Sequence, residues 1–332
     1  MMRDRLRRAT KWLSVVTTVG MFVVLVMGST VTVTGSGEGC GTSWPLCNGQ
    51  FIPEFAVATA IEYSHRLVTA VEGLLILGTA IGALAFWRDR REVRVLVPVM
   101  VFFLLLQAGL GALAVKFPTS DEVLALHFGI SLVAFASVLL TATILFGIDN
   151  GRDALRDRIV PQAVRWGAWG LLIYTYGVVY LGAYVNHTDS SLACLDWPLC
   201  QGSVFPGFTG PVGVVFSHRL AALFLTLGVV WLFIWCWRMR AKRPDLAWAS
   251  VIALTTLLAQ SATGAVVVFS RLNIFSSLSH GAIVTLFFGA LAYICFGMLP
   301  RPRAVRETFA ASVAAPSHTE GYAVGATSTR IG

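Results

Sequence analysis

The chain has 332 residues, 56% of them hydrophobic and only 13% charged, about half the roughly 25% charge of an ordinary soluble domain. So little charge cannot cover the surface of a soluble fold. The formal net charge of +8 does not indicate a nucleic-acid partner either, because a basic balance at this hydropathy marks the flanks of membrane helices. The charges cluster between apolar runs of about 20 residues, the length that crosses roughly 30 Å of hydrocarbon as an α-helix. An all-α polytopic membrane protein is therefore predicted.

In chain order the runs place transmembrane segments at 13–34, 61–87, 95–115, 122–147, 166–186, 212–237, 246–268 and 275–299. The even count puts both termini on one side. Basic residues crowd the N-terminus (Arg3, Arg5, Arg7, Arg8, Lys11) and alternate connections: Arg88, Arg90, Arg91 and Arg94, then Arg152, Arg156, Arg158 and Arg165, then Arg238, Arg240, Lys242 and Arg243. With Arg301, Arg303, Arg306 and Arg330 of the tail, these make 21 of the 25 basic residues. The positive-inside rule makes those segments cytoplasmic. Arg66, Lys116, Arg219 and Arg271 are left for the outer side, where each is a candidate for a specific task.

The first segment is basic, then apolar, then small at Gly28 and Ser29, as a cleavable signal peptide would be. An internal repeat argues against cleavage, because the fifth segment is its counterpart. Trp44-Pro45-Leu46-Cys47 recurs as Trp197-Pro198-Leu199-Cys200, and Ser64-His65-Arg66-Leu67 as Ser217-His218-Arg219-Leu220. Gln107, Gly111 and His127 recur as Gln260, Gly264 and His280, all at an offset of 153. Cys40 and Cys194 differ by 154, a slip inside an outer loop, where length changes are tolerated. The expected organisation is a cytoplasmic N-terminus (1–12), a four-helix bundle (13–147), a cytoplasmic linker (148–165), a second bundle (166–299) and a disordered cytoplasmic tail (300–332). Four helices return the chain to its starting side, so the two tandem bundles share one orientation, related by an axis along the membrane normal.

His65 and His127, and likewise His218 and His280, fall near the outer ends of their segments. Ionisable residues inside a membrane are costly and usually functional. A lone one could be a hydrogen-bonded core residue. A pair on two helices of one bundle, then duplicated, presents the two imidazoles that a six-coordinate haem iron needs. Zinc is the rival, but no cysteine or carboxylate accompanies the histidines in both halves to complete a tetrahedral shell. Arg66 and Arg219 follow His65 and His218, where their long side chains can reach the rim and neutralise haem propionates. The alternative is an arginine that snorkels to lipid phosphate. His187, opposite Val33, and His318 in the tail are not read as ligands.

The halves differ at two acids. Glu62 shares a helix face with His65 and is matched by Val215, so a carboxylate can stand over one pocket only. The plain alternative is a glutamate favoured by the dipole at a helix start. Glu72, opposite Leu225, lies about 15 Å further along the axis; it either hydrogen-bonds within the bundle or carries protons. Cys40 and Cys47, and Cys194 and Cys200, can close disulfides on the oxidising side. The second pair is read as a loop staple, whereas a redox role stays open for the first, beside Glu62. Cys236 and Cys295 read as packing residues.

Together, Glu62-x-x-His65-Arg66, Gln107-x-x-x-Gly111 before His127, the repeat and the paired loop cysteines resemble the haem A synthase family, in its cysteine-bearing bacterial subgroup, over residues 13–299. Glu72 departs from the apolar residue expected there. The resemblance implies an oxidoreductase acting on a CH group, which oxidises a methyl group of haem O to the formyl group of haem A for terminal oxidases. The oxygen comes from water: successive hydroxylation yields a geminal diol that dehydrates. It further implies that His65 and His127 hold the haem O substrate, that His218 and His280 hold a permanent haem B near the extracytoplasmic side, and that Glu62 is catalytic. Haem O synthase, the farnesyltransferase, and an unidentified electron acceptor would be partners, and a homo-oligomer is compatible. The competing expectations are a dihaem b-type electron-transfer protein, for which Glu62 is incidental, and an exofacial thiol oxidoreductase, against which neither cysteine pair has C-x-x-C spacing.

Overall fold

Eight helices carry the apolar runs: α1 (Met2–Val33), α2 (Val57–Trp87), α3 (Arg91–Lys116), α4 (Asp121–Asp149), α5 (Gln162–His187), α6 (Gly210–Arg238), α7 (Pro244–Phe269) and α8 (Ile274–Gly297). The computed structural model describes residues 1–117, 121–149 and 152–300, among which the only β-pairing is two isolated bridges. All eight helices are long and apolar enough to cross a membrane. The shortest, α8 at 24 residues, reaches about 36 Å at 1.5 Å per residue.

Each helix overlaps its predicted run, with ends that differ for a physical reason. α1 starts at Met2 rather than at residue 13, because lysine and arginine are good helix formers and extend the helix beyond its hydrocarbon-crossing part. α4 opens with Asp121 and Glu122 in its first turn, where the helix dipole favours negative charge. The expected disorder of the tail, with Arg301, Arg303, Arg306, Arg330 and His318, lies outside the described residues.

Helix packing follows the repeat. α1 and α3 each pack on α2 and α4, while α5 and α7 each pack on α6 and α8. Between the halves, α4 meets α5, α1 meets α8, and α4 meets α8. Replacing every helix by the fourth one after it maps these contacts onto themselves, the slight α2–α4 contact excepted, as a near two-fold relation between the halves would. α4 and α8 stand at the centre and are the most buried helices. Leu132, Phe135 and Leu145 of α4 and Phe288 of α8 pack with Met21, Ile76 and Met100 in one continuous core. Leu74, Ile81 and Ile173 are instead 69–72% exposed, as apolar side chains facing lipid would be.

Polar ties close the end of the bundle away from the disulfide loops. Arg156 donates to Glu92 Oε1 at 2.7 Å and to the Leu299 carbonyl at 3.1 Å, and its guanidinium lies 4.6 Å from the Phe296 ring centre. The connection between the halves is thereby fastened to α3 and to the end of α8. Arg243 is buried but paired, its Nε and Nη2 donating to both carboxylate oxygens of Asp245 and Nη2 also to the Gly297 carbonyl, and such pairing is the condition for tolerating a buried charge.

Candidate functional site

At the other end, the α1–α2 and α5–α6 connections form matching loops closed by the disulfides Cys40–Cys47 and Cys194–Cys200. In each loop the second cysteine opens a two-residue turn, with Cys47 paired to Gln50 and Cys200 to Ser203. Its central residues, Asn48-Gly49 and Gln201-Gly202, have φ values of 49°, 77°, 54° and 74°, the doubly positive geometry that asparagine and glycine tolerate best. Hydroxyl pairs brace both loops at their start, Thr34 with Ser36 at 2.7 Å and Thr188 with Ser190 at 2.9 Å.

Four histidines lie on α2, α4, α6 and α8, within electrostatic reach in pairs: His65 with His127, and His218 with His280. Every ring faces a glycine on a neighbouring helix. A Cβ added at Gly28, Gly111, Gly182 or Gly264 would stand 3.3, 3.7, 2.7 or 3.2 Å from Cε1 of His65, His127, His218 or His280 respectively. Nδ1 of His65, His127 and His218 is buried without a hydrogen-bond partner among the described residues. His127 Nε2 lies 2.8 Å from Gln107 Nε2, and His280 Nδ1 lies 3.1 Å from Thr263 Oγ1. No third protein ligand joins either pair among the described residues. Two imidazoles per half, every ring facing a glycine and three of the four with an unpartnered Nδ1, are too few for the four ligands of a tetrahedral zinc and match in number the two imidazoles that a six-coordinate haem iron takes.

The arginines tie the histidine helices to the loops. Arg66 Nη1 donates to the Ser43 and Leu46 carbonyls at 2.7 and 2.6 Å, and its Nη2 to Glu62 Oε1 at 2.5 Å. Arg219 donates to the Leu199 carbonyl and, at 3.2 Å, to the Cys194 carbonyl. Glu62 is 4% exposed, and its second oxygen accepts from the Cys40 amide at 2.8 Å. One carboxylate thus bridges Arg66 and the first disulfide loop, while Val215 leaves Arg219 to bond the second loop directly. Each guanidinium has five N–H donors, so donors remain on both for another anion.

Three neighbours of the histidines are not pointed to by the sequence. Gly28 and Gly182 repeat at an offset of 154, a signal that was present but says nothing of the ring each glycine faces. His187 at the end of α5 lies within electrostatic reach of His127 and of Asp121 and Asp189. It comes from the opposite half, so the repeat gives no hint of it. Of the other two basic residues at this end, Lys116 occupies the last turn of α3, where the dipole favours a cation, and Arg271 sits at φ 53° in the α7–α8 turn.

The fold and site define a duplicated eight-helix membrane protein with an intramembrane histidine pair in each half, each beneath an arginine-clamped disulfide loop. The chain belongs to the COX15-CtaA family of cytochrome oxidase assembly proteins, whose family model matches residues 52–292. It is 40% identical to a heme A synthase of Symbiobacterium thermophilum over 309 residues, which is 92% of this chain and 99% of the relative. It is 41% identical to a heme A synthase of Bacillus licheniformis, covering 87% and 95% of the two chains. Against a heme A synthase of Geobacillus kaustophilus the identity is 40%, over 97% and 99%.

Proposed function

We propose that this protein is a haem A synthase, an oxidoreductase that converts a methyl group of haem O to the formyl group of haem A by successive hydroxylation. His65 and His127 would hold haem O as substrate, and His218 and His280 would hold a resident haem B whose iron supplies one-electron chemistry. The unpartnered Nδ1 of His65, His127 and His218 and the glycines facing all four rings support this partition of one macrocycle per half. By the distribution of basic residues, both termini and the Arg88–Arg94 connection face the cytoplasm, and the disulfide loops and haem sites lie toward the extracytoplasmic side.

The observation that carries the assignment is the asymmetry at the loops. Both halves have the histidine pair, the glycines and the clamped disulfide loop, but only the N-terminal half adds a buried carboxylate. Positive charge developing at the oxidised carbon would be stabilised by Glu62 in a site with little solvent to screen it. Glu62 can also orient the attacking water. Arg66 holds the carboxylate in place from one side and the Cys40 amide holds it from the other, so its direction is set before substrate arrives. The remaining N–H donors of Arg66 and Arg219 would meet the haem propionates. The oxygen atom would be taken from water, and the electrons would pass to an acceptor outside the chain.

Pigment extraction from the purified protein tests the assignment. Chromatography should resolve haem B together with haem O or haem A. Haem B alone, in cells that make haem O, would leave a dihaem electron-transfer protein instead.

A further inference from the structure

A second buried carboxylate has no role in that chemistry. Glu72 of α2 is 3% exposed, and neither of its oxygens has a hydrogen-bond partner among the described residues. It packs on Gly20 of α1, where a Cβ would collide with the carboxylate itself. Its other neighbours line a cavity of about 30 Å³ that Glu72 shares with Gln107 and with apolar Met21, Val24 and Leu104. Gln107 Oε1 is also buried and unpartnered, while Gln107 Nε2 reaches His127 Nε2 at 2.8 Å and Ser131 Oγ at 2.5 Å.

Three physical points narrow what this arrangement does. An isolated carboxylate in apolar surroundings is far costlier than the neutral acid, which can donate as well as accept a hydrogen bond. The cavity exceeds the roughly 10–15 Å³ that one water needs, and Glu72 and Gln107, each with buried oxygen that has no partner among the described residues, are both among the residues around it. The feature also belongs to one half only. Glu72 and Gly20 are matched by Leu225 and Tyr174, and the hydroxyl pair Thr17–Thr79, bonded at 2.8 Å along the same α1–α2 seam, is matched by Leu171 and Leu232. Gln107 does recur, as Gln260, but there it has no acid opposite.

We propose that Glu72, as a neutral carboxylic acid, and Gln107 hold an ordered water between them, forming a hydrogen-bonded chain from Glu72 through water and Gln107 to the ring of His127. Glu72 is then a positioning residue. It acts through Gln107 on the orientation of one ring, in the half assigned to the substrate. Its consequence for haem rests on the assignment of His127 as an iron ligand.

Infrared spectroscopy of the purified full-length protein reads the acid directly. The difference between wild type and Glu72→Gln should show loss of one carbonyl-stretch band of a protonated, hydrogen-bonded carboxylic acid. Gly20→Ala, which pushes the carboxylate off the α1–α2 seam but keeps the side chain, should move the same band. In the haem-loaded protein, Glu72→Leu, which copies the second half, should shift the midpoint potential and low-spin electron paramagnetic signature of the substrate-half haem only. Turnover should fall roughly tenfold, the low end of what groups behind a metal ligand contribute, through kcat and not KM. Glu72→Gln should restore the signature. Loss of carboxylate bands in place of an acid band, a band at the position of a free acid, or an unmoved haem signature in Glu72→Leu would each overturn the proposal. A His127→Ala variant that retains both haem signatures would overturn the ligand assignment while leaving the acid band unchanged, so the two failures are distinguishable.

Discussion

The first four helices and the last four use the same devices up to the floor of the disulfide loop and then part. Both loops are closed by a disulfide, turned on a pair of positive-φ residues and clamped by an arginine from the histidine helix. In the first, Glu62 stands between the arginine and the loop amide; in the second, Val215 does not, and Arg219 closes on the loop carbonyls alone. The seam between the first two helices of each half differs in the same sense, with Thr17, Thr79, Gly20 and Glu72 against Leu171, Leu232, Tyr174 and Leu225. Duplication provides two equal scaffolds, and polar substitutions inside one of them provide a place for chemistry. The second copy keeps the histidine pair, the facing glycines and the clamped loop without those polar substitutions.

The sharpest way to break this comparison is to remove ligands one half at a time. His218→Ala or His280→Ala should abolish resident haem B, while His65→Ala should spare most of it; loss of all haem from His65→Ala, read by pigment extraction, would undo the partition. Next in size, Glu62→Ala should retain haem and lower haem A formation by roughly 100-fold or more, the scale of losing one electrostatic group aimed at a developing charge. Unaltered haem A in the extracted pigment would show that the asymmetry at the loop is incidental.

The glycines offer a graded test. Gly182→Ala places a methyl 2.7 Å from His218 Cε1, against 3.3 Å for Gly28→Ala and His65. Overpacking of the first kind costs about 1–3 kcal/mol, so thermal unfolding should drop clearly for Gly182→Ala and little for Gly28→Ala. Cys47→Ser and Cys200→Ser each open a short loop, worth about 2–3 kcal/mol of loop order in the chain-entropy account. Haem A yield should fall only for Cys47→Ser, because only that loop carries an amide bonded to Glu62.

The smallest effect concerns pH. In the first loop the Gly49 amide is held by the Ser43 hydroxyl at 3.1 Å, and in the second the Gly202 amide is held by Asp196 Oδ2 at 2.8 Å. The backbone amides of Gly202 and Gln201 keep the Asp196 carboxyl below the usual carboxylate range. Its contribution to loop order is therefore present above the ordinary aspartate value of about 4 and is lost as pH falls through the lower folded value. Protection of the Gln201 and Gly202 amides, measured as exchange relative to the intrinsic rate at each pH, should fall in acid, that of Asn48 and Gly49 should not, and Asp196→Ala should remove the difference.

Much of the molecule was legible before any coordinates. Composition and run length determined eight membrane helices, because crossing hydrocarbon leaves the backbone no other economical form. The offset of 153 determined the pairing of His65 with His218 and of His127 with His280, and it exposed Glu62 and Glu72 as acids that only one half carries. Tertiary structure alone decided what those residues touch. Arg66 and Arg219 reach main-chain carbonyls of a folded-back loop, acceptors that every residue owns and that leave no mark in a sequence. Gly28 and Gly182 face imidazoles across a helix interface, and His187 approaches His127 from the opposite half. Glu72 meets Gly20 and Gln107 from two other helices around one small cavity. Periodicity and repetition are properties of the chain and can be read along it, whereas these contacts join residues from about 20 to 60 positions apart and exist only once the helices have packed.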